Sequence, residues 1–65
     1  MKITLKQLKK QAEHIEQWIV ESVDLSLYIA HARINGEEHV IAEDEKKILK
    51  RHNLLEMKRV LKTVA

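Results

Sequence analysis

The chain has 65 residues, twelve Lys or Arg against ten Asp or Glu, a formal net charge of +2, one glycine, no proline and no cysteine. That length allows one domain with one thin core, which buries only ~60% of the surface the unfolded chain exposes. The lack of cysteine excludes disulfide staples and thiolate metal sites, and no apolar run approaches the ~20 residues that span a bilayer.

The charge is unevenly laid out. Residues 1–12 hold Lys2, Lys6, Lys9 and Lys10 without an acid, and residues 13–45 hold nine of the ten acids against Arg33 alone. Residues 46–65 hold seven bases against Glu56. Basic ends enclose an acidic middle, a layout that can steer pairing between copies.

The opening "MKITLKQLKK" begins with a lysine that no apolar run follows, so the expectation is a soluble cytoplasmic protein without a secretory signal. Thr4 with Gln7 three residues later has capping-box spacing, and Ile3 and Leu8 are placed to close a hydrophobic staple. Leu5, Leu8 and Ala12 recur at helical spacing with Lys6, Lys9 and Lys10 outward, predicting a helix from about Leu5 to Glu13.

From Ile15 the pattern becomes that of strands. "IEQWIVES" leads through a turn around Asp24, where Asp and Ser side chains can bond their own backbone, into "LSLYIAHARI". That run ends at Asn35-Gly36, the strongest short hairpin signal, because a type I′ turn needs φ > 0 twice. A two-residue loop sets the register: Ile34 faces Glu37, Arg33 faces Glu38, Ala32 faces His39, His31 faces Val40 and Ala30 faces Ile41. Tyr28, Ala30, Ala32, Ile34, His39 and Ile41 then share one sheet face, and Leu27, Ile29, His31, Arg33, Glu38, Val40 and Ala42 share the other. The first set is assigned to the core, since Arg33 opposite Glu38 reads as a solvent-side ion pair. Leu27, Ile29, Val40 and Ala42 then form an apolar strip that a monomer exposes.

"EDEKK" turns the chain again. "KILKR" follows, as a short fourth strand or an extended connection. Asn53 caps a second helix whose apolar stripe is Leu54, Met57, Val60, Leu61 and Val64. The expected fold class is α+β: a three- or four-stranded antiparallel β-meander with an N-terminal and a C-terminal helix on one face.

Four histidines raise the question of a metal. His31 and His39 fall on opposite faces, and His14 and His52 lie at element ends. No spacing gives Zn²⁺ its three or four ligands, so no metal and no other cofactor is expected. His39 is expected at the core rim and the other three in solvent. The pair Glu37-Glu38 and the run Glu43-Asp44-Glu45 are carboxylates in turns, where no concave pocket can set their separation. Ser22 and Ser26 lack His and Asp partners, and no Gly-rich loop cradles phosphate. No catalytic residue is assigned, and an enzyme is not expected.

Two interaction readings remain. Leu27, Ile29 and Val40 on the open face, or an unpaired sheet edge, point to self-association as a homodimer, which also relieves the small-core problem. Lys6, Lys9 and Lys10 on the first helix, with Lys58, Arg59 and Lys62 on the second, point to nucleic acid or another polyanion as the alternative partner. Leu55, which shares the sector of those last three bases, marks a further contact for a protein partner. The order helix, strands, helix is similar to the double-stranded RNA-binding domain, but that family's lysine cluster opening the last helix has no counterpart in "NLLEMKR".

The run "VESVDLSLYIAHARINGEEHVI", with the short strand and capped helix after it, resembles a family of small uncharacterised bacterial proteins, mostly gammaproteobacterial. The matching positions are Val20, Ser22, Asp24, Tyr28, Gly36 and His39, within residues 15–64. The chain departs from that pattern at Asp44-Glu45-Lys46 and at Asn53. The resemblance implies the α+β layout and no known activity.

Overall fold

Residues 1–64 are described by a computed structural model. Thr4 has two roles at once. Its Oγ1 accepts from the Gln7 N–H at 3.2 Å while Gln7 Oε1 accepts from the Thr4 N–H at 3.0 Å, the reciprocal cap the spacing predicts for helix α1 (Leu5–Lys10). Thr4 also ends a strand the sequence reading missed, β1 (Lys2–Thr4). The helix is shorter than expected: Gln11 closes it on the Leu8 carbonyl, and Ala12–His14 make a separate 3-10 turn.

Strand β2 (Ile15–Asp24) pairs antiparallel with β3 (Leu27–Ile34), with irregularities at Glu16 and Val23. The turn between them is built as its composition predicts: Asp24 Oδ1 accepts from the Leu25 N–H at 2.6 Å, and Ser22 Oγ donates to the Asp24 carbonyl at 2.8 Å. Asn35 (φ 53°) and Gly36 (φ 79°) carry the two positive φ values of the next reversal, into β4 (Glu37–Asp44). Glu16, displaced outward by its bulge, accepts from the Gly36 N–H at 2.6 Å and braces that turn from the neighbouring strand.

Four of the five expected cross-strand pairs form, from Ile34↔Glu37 to His31↔Val40. The fifth, Ala30 with Ile41, does not, because β3 and β4 diverge there and another segment fills the fork. Strand β5 (Lys47–Ile48) pairs with Ala42 and Asp44. Beyond it, Leu49 donates to the Ile41 carbonyl and Arg51 bridges to Tyr28 on β3. The 47–51 segment is therefore inside the sheet. On the far side of β4, β1 adds in parallel, pairing Lys2 with Val40, Ile3 with Ile41 and Thr4 with Ala42. Among the described residues the sheet thus has five strands, one more than the upper expectation, in the order β1-β4-β3-β2 with β5 in the fork.

Helix α2 (Leu54–Lys62) starts at Asn53, whose side chain accepts from the Glu56 N–H at 2.8 Å. The core comprises Ile3, Ala30, Ala32, Ile34 and Ile41 from the sheet, Leu8 from α1, Leu49, and Met57, Leu61 and Val64 from α2 and its end. Ala30 and Ala32 are small enough for the helices to sit close over the strands. Both helices cover this one face, as expected, and Tyr28 and His39 are half-buried at its margin. Among the described residues, no helix is long and apolar enough to cross a membrane.

Candidate interaction surfaces

Three surfaces remain after the core is assigned: the sheet face opposite the helices, the outer edge of β2, and the backs of the helices. The open face takes every second residue of three adjacent strands. Gln17, Ile19 and Glu21 of β2 lie beside Arg33, His31 and Ile29 of β3, and His31 and Arg33 lie beside Val40 and Glu38 of β4. Leu27, Ile29 and Val40, expected in an exposed apolar strip, are half-buried, as is Ile19 beside them, because long neighbouring side chains shield part of the face. Ala42, expected in that strip, is fully buried because β1 pairs with it on one side and β5 on the other.

His31 stands at the centre of this face. Its side chain is only 18% exposed, so the expectation that it is solvated is wrong. Nδ1 lies 3.9 Å from Glu38 Oε1 and Nε2 lies 3.5 Å from Glu21 Oε2, too far for a normal hydrogen bond. Among the described residues, the buried Nε2 has no hydrogen-bond partner. His39 faces the helix side, 4.0 Å from Glu37, so the two histidines are on opposite faces as the register requires. Among the described residues, no three His, Cys, Asp or Glu side chains cluster to hold a metal ion.

One ion pair stands out at the fork. Arg51 Nη1 donates to Glu43 Oε1 at 2.7 Å, and Lys47 Nζ is 3.7 Å from the same carboxylate. The bond from Arg51, helped by the Lys47 charge, holds the Glu43 carboxyl below its ordinary range against a smaller opposing effect of burial.

On the helices, Lys6, Lys9, Lys10, Lys58, Arg59 and Lys62 are all exposed, and Leu55 is 61% exposed among the bases of α2. Lys58 and Lys62, with Leu61 and Trp18, also line a shallow groove of about 230 Å³ between α2 and the edge strand. The sequence pattern marks Trp18 only as a strand residue; its pairing opposite Ala32 puts it on the helix side.

No curated protein and no solved structure matches the chain. A family model matches residues 1–65, in agreement with the resemblance that residues 15–64 bear to proteins without a known activity. The chain belongs to DUF6482, a family of unknown function.

Proposed function

We propose that the protein is a non-enzymatic, cytoplasmic interaction module that pairs with a second copy of itself through the open sheet face, with Leu27, Ile29 and Val40 at the contact. The observation that carries this reading is one sheet face that no helix of the described residues crosses, where Ile19, Leu27, Ile29 and Val40 are grouped around His31. Its margin carries both signs of charge, Glu21 and Glu38 against Arg33 and Lys2, so a two-fold axis can set acid against base. Covering the face would also enlarge the buried core of a domain whose size leaves little margin. The absence of cysteine supports the compartment.

Sedimentation equilibrium of the wild-type chain and of Ile29→Lys tests the proposal. A wild-type dimer that holds or tightens as salt rises, and a monomeric, folded Ile29→Lys, are the expected results. A wild-type chain that stays monomeric at millimolar concentration overturns it.

The second reading is polyanion binding by Lys6, Lys9, Lys10, Lys58, Arg59 and Lys62. It is favoured by one observation: both helices lie on one side of the sheet and turn all six side chains to solvent. Affinity for a fluorescent oligonucleotide would then fall steeply with salt, through counterion release. An affinity that is flat across salt removes this reading.

A further inference from the structure

The backbone of β2 is an unfinished edge. A two-residue hairpin loop makes Ile34 and Glu37 a hydrogen-bonded pair, so bonding toward β4 alternates along β3 from that point. Two backbone bonds agree with this parity: Tyr28 exchanges bonds with Arg51 on the β4 side, and the Val40 N–H turns away from β3 to the Met1 carbonyl. Ile29, His31 and Arg33 therefore direct their backbone groups at Glu21, Ile19 and Gln17. It follows that Trp18, Val20 and Ser22 direct theirs outward, where, among the described residues, the sheet has no further strand. Between the bulges at Glu16 and Val23, residues 17–22 pair without interruption and offer an unbroken template. The opposite edge, by contrast, is β1, only three residues long.

Above that template lies the groove of Trp18, Leu61, Lys58 and Lys62. Its floor is apolar and its rim carries two ammonium groups, with no acid among the residues that line it. We propose that this edge accepts an extended peptide segment as a sixth strand, with acidic side chains turned toward Lys58 and Lys62 and an apolar one against Trp18. Backbone pairing supplies the fit and the lysines select the charge. A second copy of β2 satisfies this groove poorly. Its helix-side residues are Trp18, Val20 and Ser22, none of them acidic, and the two-fold axis of antiparallel edge pairing, perpendicular to the sheet, keeps both helix layers on one side and would bring Lys58 and Lys62 of both copies together. The surface is distinct from the open sheet face, so the two proposals fail separately.

The test is a titration followed by the fluorescence of Trp18, the only tryptophan, together with amide exchange. The probes are the octapeptide Glu-Thr-Val-Thr-Glu-Thr-Val-Thr, which sets Glu and Val on one strand face (the Glu-Val peptide), its counterpart with Lys for Glu (the Lys-Val peptide), the Glu-Val peptide N-methylated at alternate residues, and a single-stranded oligonucleotide. The expected result is saturable binding of the Glu-Val peptide alone, with slowed exchange at the Trp18, Val20 and Ser22 amides. Lys58→Glu with Lys62→Glu, at exposed positions that leave the core intact, should weaken it at least tenfold. Ile29→Lys should leave it unchanged. Equal binding of the Lys-Val or the N-methylated peptide overturns the proposal. So does binding of the oligonucleotide alone, or protection of the same three amides by the unliganded protein at rising concentration.

Discussion

Tyr28 and Arg51 exchange two backbone hydrogen bonds, Tyr28 N–H to the Arg51 carbonyl at 2.8 Å and Arg51 N–H to the Tyr28 carbonyl at 3.2 Å. The side chain of the same arginine reaches Glu43 on β4 at 2.7 Å. One residue thus holds both arms of the fork, β3 through its backbone and β4 through its guanidinium.

Arg51→Met keeps the backbone bridge and loses the ion pair. Because the Glu43 carboxyl is held below its ordinary range, its contribution is present above the unfolded value and is lost as pH falls through the lowered one. Wild type should therefore lose stability below about pH 4 in a step that Arg51→Met lacks, with under about 1 kcal/mol between them at neutral pH. Urea midpoints across the acidic range check this, and identical pH profiles would contradict it.

His31 offers a case of gain by removal. Its Nε2 is buried without a partner among the described residues, and an unmet polar atom carries a desolvation cost that an apolar side chain of similar size does not. His31→Met should be neutral or stabilising by up to about 1 kcal/mol and should strengthen any apolar association of the open face. A loss above 1 kcal/mol in chemical denaturation would mean that Nε2 is bonded after all.

At the reversal, an added Cβ on Gly36 meets nothing within 4 Å, so the cost of Gly36→Ala is conformational and not steric. A left-handed φ penalises L-residues by about 1–2 kcal/mol, and that is the loss expected. Glu16→Ala removes the carboxylate bonded to the Gly36 N–H and should cost about 1 kcal/mol. The double variant should fall short of the sum, because both changes act on one turn.

Met57 is fully buried where α2 meets the core. Met57→Ala should destabilise by about 2–5 kcal/mol, a large share of what so small a domain possesses. Leu55→Ala, two residues earlier on the solvent side, should change stability by less than about 0.5 kcal/mol. Thermal melts of the two variants separate these expectations.

The legible parts of this chain are those where local chemistry dictates geometry. Thr4 with Gln7, Asn53, Asp24 with Ser22, and Asn35-Gly36 each announce their turn or cap within four residues, and the hairpin register follows from the last. What escaped reading depends on partners distant in sequence. Strand β1 is three residues whose parallel partner begins at Val40, and so short a segment carries no alternation to read. The fork between β3 and β4 is filled by residues 47–51, which no hairpin rule places. The candidate surfaces divided the same way. Leu27, Ile29 and Val40 were placed on their face by register alone, whereas the groove of Trp18 with Lys58 and Lys62 joins residues forty or more positions apart.

The open face as a contact between copies is tested most directly by isotope-filtered NOEs in a sample mixing labelled and unlabelled chains. The account predicts intermolecular contacts from the methyl groups of Leu27, Ile29 and Val40. Intermolecular contacts confined to the helix side, or none at concentrations where the protein is dimeric, would contradict it.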